Sequence, residues 1–278
     1  MKKAAVVIAH FHPRGRVALH LRGLVEALLA RNAQVVFVST NATPAELEQL
    51  PSGVRVITRP NVGYDFESYR VGIQSLGDLT GVDKLVLLNT SLVFFEPEKL
   101  LGAIFDTDHP GVDLLGLTAS QAIAFHLQSY LVSFENARTI NGEAFRRWWQ
   151  DMKPLSERTA VIATYELGMS RHFREAGCAL RAAFVPDRNA RFRALCRWYA
   201  KREPPERMFH GDAVSFDLRE TDALNPVHFL WDDILRDFGV AKLELLERNP
   251  HELDLGALAA RRASDPAFAR LLDDALAP

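Results

Sequence analysis

The chain has 278 residues, a formal net charge of −2, 48% hydrophobic residues and 24% charged residues. This length suits one large α/β domain with a sizeable core, and the nearly balanced charge argues against nucleic acid as the main partner. No apolar run approaches the roughly 20 residues that span a bilayer. The two cysteines have no metal-site spacing, so we expect a cytoplasmic protein with reduced thiols.

The first half of the chain alternates short apolar runs with segments of helical periodicity. The apolar runs predict strands at residues 3–9, 34–39, 54–57 and 84–88. Helical spacing predicts helices at residues 17–31, 64–77 and 97–105. Strands that alternate with helices predict a mostly parallel sheet with helices on both faces.

The second half continues with further strands and ends in helices. Predicted strands lie at residues 112–118, 125–134 and 179–184, and a predicted helix lies at residues 166–176. Residues 188–207 form a basic segment, with seven arginines and lysines against two glutamates. We expect an α/β domain over residues 1–240 and a helical C-terminal extension over residues 241–278.

The segment 59–70 carries the strongest local signal for a binding site. Pro60 disfavours helical geometry at Arg59 and so ends the preceding strand, while Gly63 permits a positive φ and the close approach of a ligand. Asp65 follows at the positive end of a predicted helix. Open α/β sheets bind ligands in this place, beyond the carboxyl ends of the strands. The alternative is an ordinary strand-to-helix turn in which Asp65 only caps the helix.

Several segments resemble, in their order along the chain, the rhamnan synthesis protein F family. They are residues 59–66, 88–91, 126–130, 165–166 and 225–231, followed by a similar closing motif at residues 241–250. The resemblance implies a GT-A type, Rossmann-like fold and a glycosyltransferase of bacterial surface polysaccharide, such as lipopolysaccharide. It also implies inverting transfer of rhamnose from a dTDP- or GDP-activated donor to a glycan or lipid-linked glycan acceptor.

Such a transfer needs a donor pocket, a positive charge for the leaving diphosphate and a base for the acceptor hydroxyl. We expect Asp65 to bind the base or the ribose of the donor, with Asn61 holding the turn. The full set of predicted donor-binding residues is His10, Arg59, Asn61, Gly63, Asp65, Asn89, Ser91, Arg191 and Arg193.

A divalent metal is doubtful on this sequence. Many GT-A enzymes hold one with an Asp-x-Asp after the fourth strand, where this chain has residues 89–91, Asn-Thr-Ser. Since Mg²⁺ is usually bound through one or two carboxylates, we predict that Arg191 and Arg193 neutralise the diphosphate instead, with Arg59 or Arg70 as alternatives. The basic segment has two other interpretations, a solvated face or peripheral contact with an anionic membrane surface.

Glu166 is the predicted catalytic base, because inverting GT-A enzymes place an acidic residue at a similar helix start. The alternative is that Glu166 only favours the helix dipole. The predicted acceptor-binding residues are His126, Gln128, Ser129 and Tyr130, although a histidine in an apolar strand is often a core residue.

A non-catalytic glycan-binding or scaffolding subunit is the competing function. A dehydrogenase is disfavoured, since the first strand is not followed by Gly-x-Gly-x-x-Gly.

Overall fold

A seven-stranded sheet organises the computed structural model, which describes residues 3–200 and 218–277. The strands of the described chain are β1 Ala4–His10, β2 Gln34–Ser39, β3 Arg55–Thr58, β4 Lys84–Asn89, β5 Leu92–Phe94, β6 Leu114–Gly116, β7 Ala119–Ser120, β8 His126–Leu127, β9 Leu131–Phe134, β10 Leu180–Ala182 and β11 Val240–Lys242. The sheet order is β10-β6-β9-β4-β1-β2-β3. All neighbours run parallel except β9, which is antiparallel to β4 and β6.

Helices cover both faces of this sheet. The α-helices of the described chain are α1 Leu19–Ala30, α2 Pro44–Leu47, α3 Tyr64–Leu76, α4 Pro97–Leu101, α5 Ala137–Ile140, α6 Glu143–Asp151, α7 Arg158–Val161, α8 Leu167–Glu175, α9 Arg188–Tyr199, α10 Pro226–Phe229, α11 Trp231–Phe238, α12 Leu243–Arg248, α13 Gly256–Ser264 and α14 Pro266–Leu276. Two π-helical turns, Gly102–Asp106 and Ile162–Glu166, continue α4 and α7. Within residues 3–200 and 218–277, no helix has the length and apolar character needed to cross a bilayer.

The core is divided between the two faces by the alternation of side chains along β1. Val6 and Ile8 pack with α1 and the C-terminal helices, whereas Ala5 and Val7 pack with α3, α6 and α8. This arrangement confirms the predicted mostly parallel sheet with helices on both faces. The final helices α13 and α14 confirm the predicted helical tail, and the Phe268 ring of α14 stacks on Phe95 with 4.1 Å between centroids.

Three local features of the structure differ from what the sequence predicts. Residues 125–134 form two strands rather than one, because β8 pairs with β7 in a small separate sheet, whereas β9 pairs with β4 and β6 in the main sheet. The strand predicted from the apolar run at residues 54–57 is the edge strand β3. Its side chains are largely exposed, since β2 is its only neighbour among the described strands. Strand β5 was not predicted, because its three residues depend on antiparallel pairing with β11.

The C-terminal part of the chain is joined to the rest through β11. The predicted domain boundary between residues 240 and 241 falls inside this strand, which pairs with β5. Residues 201–207 of the predicted basic segment lie outside the described residues.

Candidate functional site

An open cleft of about 340 Å³ lies beyond the carboxyl ends of β1 and β4. The loop after β1, the start of α3, the end of β4 and the β11–α12 segment all line it. Its polar and charged lining side chains are Asp65, Thr90, Ser91, Arg158, Lys242, Glu244, Glu247 and Arg248. This is the edge of a parallel sheet at which α/β proteins bind ligands.

The loop that leads to Asp65 is held by Arg59. Its guanidinium donates hydrogen bonds to the carbonyls of Pro60 at 2.8 Å, Val62 at 2.6 Å and Tyr64 at 2.6 Å. Arg59 was predicted to bind the donor, or alternatively the diphosphate. In the structure its N–H groups instead donate to the carbonyls of the loop, so Arg59 stabilises the loop conformation that places Asp65 at the site.

Gly63 occupies the turn at which the chain enters α3. Its φ of 80° lies in the left-handed region. A Cβ there would lie 2.7 Å from Cβ of Glu67 and 2.9 Å from Cβ of Pro154, so the position has no room for a side chain. Gly63 therefore sets the direction in which the chain enters α3, whose second residue is Asp65, while Asn61 of the same turn is exposed.

A chain of hydrogen bonds joins Asp65 to β4 and β11. Asn89 donates from Nδ2 to Oδ2 of Asp65 at 2.5 Å, and its Oδ1 accepts from the Ser91 amide at 3.0 Å and from the Ser91 hydroxyl at 2.5 Å. Lys242 then donates from Nζ to Oγ of Ser91 at 3.0 Å. Lys242 reaches this place because its strand pairs with β5, where it lies opposite Leu92.

Burial governs the charges in this network. Burial raises the pKa of Asp65, and the hydrogen bond from Asn89 opposes that shift. Burial lowers the pKa of Lys242, while the negative charges of Asp65, Glu166 and Glu244 act in the opposite direction. The Lys242 ammonium also lies 4.8 Å from the centroid of the Tyr130 ring. The cleft thus contains a partly desolvated ammonium group flanked by carboxylates.

Glu166 lies inside a helical segment rather than at its start. Helix α7, the π-helical turn Ile162–Glu166 and helix α8 follow one another without a break from residue 158 to residue 175. The prediction that Glu166 begins a helix is therefore wrong, and the helix-dipole interpretation loses its basis. Single π-helical turns within α-helices are frequent at functional sites.

The Glu166 side chain faces His126 and acts electrostatically on the cleft. Its Oε1 atom lies 3.8 Å from Nε2 of His126, whose Nδ1 is 2.8 Å from the carbonyl of Ala124. The charge of Glu166 raises the pKa of both Asp65 and Lys242. Glu166 itself is absent from the described lining of the 340 Å³ cleft, so it stands beside this cavity.

The other predicted acceptor-binding residues are engaged in internal hydrogen bonds. The Tyr130 hydroxyl donates to Oε1 of Gln128 at 2.9 Å, and Thr118 donates to the same oxygen at 2.6 Å. The carbonyl of Ser129 accepts a hydrogen bond of 2.9 Å from the Tyr69 hydroxyl. Gln128 and Tyr130 are buried, so they support the wall of the site from within.

The arginines proposed for the diphosphate do not face the cleft. Arg191 pairs with Asp222 at 3.0 Å and lines a separate cavity of about 250 Å³. Arg193 pairs with Asp233 at 2.6 Å. Arg70, the further alternative, pairs with Glu67 one turn away on α3. These guanidinium groups neutralise carboxylates of the protein itself.

His10 is also placed away from the cleft. It is 1% exposed, with Nδ1 at 2.9 Å from the Ser39 hydroxyl and Nε2 at 2.9 Å from the carbonyl of Arg16. Burial lowers its pKa to about 4. His10 therefore stabilises the loop after β1 through these internal hydrogen bonds and does not line the cleft.

The residues that sequence reasoning missed are the cations of the cleft, Lys242, Arg158 and Arg248. Lys242 belongs to the closing motif of the family resemblance, but its charge was assigned no role. Nothing local to residue 242 shows that it meets Ser91, because the two are 151 positions apart.

The chemistry of the cleft does not fit a divalent metal of the Asp-x-Asp type. Asp65 is the carboxylate nearest to residues 89–91 in the network, and its Oδ2 accepts a hydrogen bond from Asn89. Ser91 already accepts from the Lys242 ammonium, whose charge would repel a second cation. Within the described residues, no three His, Cys, Asp or Glu side chains are grouped as a metal site.

Comparisons with known proteins relate this chain to one family. Residues 35–199 match the family described as rhamnan synthesis protein F. The chain is 27% identical over 209 residues to the virulence protein VirA of Vibrio anguillarum, which covers 70% of this chain and 62% of the relative. It is 25% identical over 188 residues to the uncharacterized protein y4gN of Sinorhizobium fredii, which covers 65% of this chain and 48% of the relative. The chain thus spans about half to three fifths of these relatives.

A comparison of structures gives a weaker likeness. The fold is similar to that of a galactosyltransferase, LgtC, solved with donor and acceptor sugar analogues. The TM-score is 0.44 at 13% identity, and the match covers 96% of this chain and 95% of the other.

Proposed function

The chain belongs to the rhamnan synthesis protein F family, and on this premise we propose that it is a glycosyltransferase acting on a nucleotide-activated sugar. The observation that carries this proposal is the cleft beyond β1 and β4, where a hydrogen-bonded carboxylate and an ammonium group lie together. The proposed donor is a dTDP- or GDP-activated rhamnose. The proposed acceptor is a glycan or lipid-linked glycan of a cell-surface polysaccharide.

Asp65 is the proposed anchor for the nucleoside part of the donor. Asn89 holds one carboxylate oxygen from β4, and Gly63 fixes the turn behind it. An ionised carboxylate held in this way accepts hydrogen bonds from ribose hydroxyls or a base N–H group, and such charge-assisted bonds are stronger than neutral ones. Asp65 lines the cleft, so a donor bound there can reach this carboxylate.

Glu166 is the proposed general base. In an inverting transfer, the acceptor oxygen forms a bond to the anomeric carbon as the bond from that carbon to the diphosphate oxygen breaks. The diphosphate keeps the electron pair, and the proton of the acceptor hydroxyl passes to the Glu166 carboxylate. Nε2 of His126 lies 3.8 Å from this carboxylate, which is ion-pair distance if the imidazole is protonated.

The test of this proposal is the transfer rate of Glu166→Gln with dTDP- or GDP-rhamnose and a saccharide acceptor. We expect transfer to fall about 10²- to 10⁴-fold, the usual contribution of a general base, with donor affinity retained. Glu175→Gln is the matched control, because Glu175 is exposed on the helix that follows Glu166. Transfer by Glu166→Gln at the wild-type rate would contradict the role of Glu166. A wild-type chain that binds glycan but never consumes a donor would instead support a scaffolding subunit.

A further inference from the structure

The position of Lys242 identifies a counter-charge for the leaving group. Its ammonium lines the cleft, lies 3.0 Å from the Ser91 hydroxyl and stacks over the Tyr130 ring at 4.8 Å. Antiparallel pairing of β11 with β5 fixes its backbone, since Lys242 is in register with Leu92. The ammonium is therefore held beyond the end of β4 by two side-chain contacts, one with Ser91 and one with Tyr130.

Two arginines add positive charge to the same cleft. Arg158 begins helix α7 and Arg248 ends helix α12, and both line the cavity together with Lys242. Glu244 and Glu247 also line it, so the cationic groups do not form a uniformly positive surface. They lie among carboxylates, and this favours a small polyanion bound at defined contacts over non-specific attraction of anions.

Lys242 occupies the region in which a divalent cation would otherwise be needed. Ser91 is bonded to the ammonium, and Asn89 is bonded through its oxygen to Ser91 and through its nitrogen to Asp65. Asn89 and Ser91 offer only neutral oxygens, already engaged in these bonds, whereas Mg²⁺ is usually held through one or two carboxylates. A lysine is a compact point charge that binds phosphate well.

We propose that Lys242, assisted by Arg158 and Arg248, binds the diphosphate of the donor and replaces a divalent metal at this site. This inference rests on the proposed function. When the bond between the anomeric carbon and the diphosphate oxygen breaks, the electron pair stays on that oxygen and its negative charge grows. A fixed ammonium beside the oxygen stabilises the developing charge without rearrangement.

The test is calorimetric titration of the whole chain in EDTA with GDP, UDP and dTDP and with the matching nucleosides. The wild-type chain is expected to bind one nucleoside diphosphate in EDTA more tightly than its nucleoside, with affinity unchanged by added Mn²⁺. Lys242→Met is expected to weaken diphosphate binding about 10- to 100-fold, the range for a lost charge-assisted hydrogen bond, and to leave nucleoside binding unchanged. Lys242→Arg should recover part of the loss.

Lys153→Met is the matched control, because Lys153 is exposed, and it should bind like the wild type. Diphosphate binding that disappears in EDTA and returns with Mn²⁺ would overturn the role of Lys242 while leaving the glycosyltransferase proposal intact. Equal affinities of Lys242→Met and the wild type for the nucleoside diphosphate would also overturn the role of Lys242. Failure to bind any nucleotide with or without Mn²⁺ would overturn the proposed function, and this inference with it. If Lys242→Met does not fold, the diphosphate affinity of Lys242→Arg still tests the role of Lys242. The wild-type titrations in EDTA with and without Mn²⁺ test it independently.

Discussion

The side-chain amide of Asn89 donates a hydrogen bond of 2.5 Å to the carboxylate of Asp65, across 24 positions of the chain. This bond joins the end of β4 to the start of α3 at the mouth of the cleft. It also acts against burial, which raises the pKa of Asp65. Asn89 thus helps to keep the carboxylate ionised and pointed in one direction.

Asp65→Ala is predicted to weaken nucleoside diphosphate binding by about 1.5–3 kcal/mol, the range for a hydrogen bond to a charged group. Asn89→Ala should weaken binding less, because it frees the carboxylate without removing it. Calorimetric titration measures both effects. Asp151→Ala is the control, since Asp151 is an exposed aspartate at the end of α6. Unchanged affinity of Asp65→Ala would remove this residue from the donor site.

Gly63→Ala is predicted to lower the free energy of unfolding by more than the cost of the positive φ at this position. An L-residue in the left-handed region costs about 1–2 kcal/mol, and here the added Cβ also meets Glu67 and Pro154 at 2.7 and 2.9 Å. Gly177→Ala is the matched control, because Gly177 has a φ of 81° with nothing within 4 Å of an added Cβ. Urea unfolding compares the two free energies of unfolding, and equal losses would show that the turn can relax around the new methyl group.

Because His10 is buried, the free energy of unfolding is predicted to decrease at acidic pH. Burial lowers its pKa in the folded state from 6.5 to about 4, so between these pH values the unfolded chain binds a proton that the folded chain does not. Stability therefore falls as the pH decreases from 6.5 towards 4, by on the order of 3 kcal/mol over the full shift. Urea unfolding at several pH values measures this slope.

The variant His10→Gln separates this effect from lost packing. Its stability at pH 8 reports the loss of packing and of the bonds to Ser39 and Arg16. Its slope between pH 6.5 and 4 should be shallower than that of the wild type, since one titrating group is gone. Parallel slopes for the two proteins would assign the acid sensitivity to other groups.

The sequence predicts the parts of this fold that depend on local patterns. The apolar runs of β1, β2 and β4 are buried on both faces of a parallel sheet, and this makes them visible without any partner. The division of residues 125–134 into β8 and β9 was not predictable in this way. It follows from strand pairing in the folded chain, since β8 pairs with β7 and β9 pairs with β4 and β6.

In the candidate site, too, some residues are predictable from local sequence and others depend on distant partners. Asp65 follows a glycine turn at a strand end, and this local signal is sufficient to place it at the sheet edge. The partners of an arginine or a lysine are not encoded nearby, so Arg191 was expected at the diphosphate but pairs with Asp222. Lys242 reaches Ser91 only through the pairing of β11 with β5.

The central claim is that the cleft beside Asp65 binds a nucleoside diphosphate, and thermal denaturation of the wild-type chain tests it most directly. At about 100 times its dissociation constant, a ligand stabilises the folded state by about 2.7 kcal/mol. We predict that at least one member of a panel of nucleoside diphosphates raises the Tm by several degrees, and that the same compound at the same concentration raises the Tm of Asp65→Ala by about half as much or less. The absence of a Tm shift with every nucleoside diphosphate would contradict the claim.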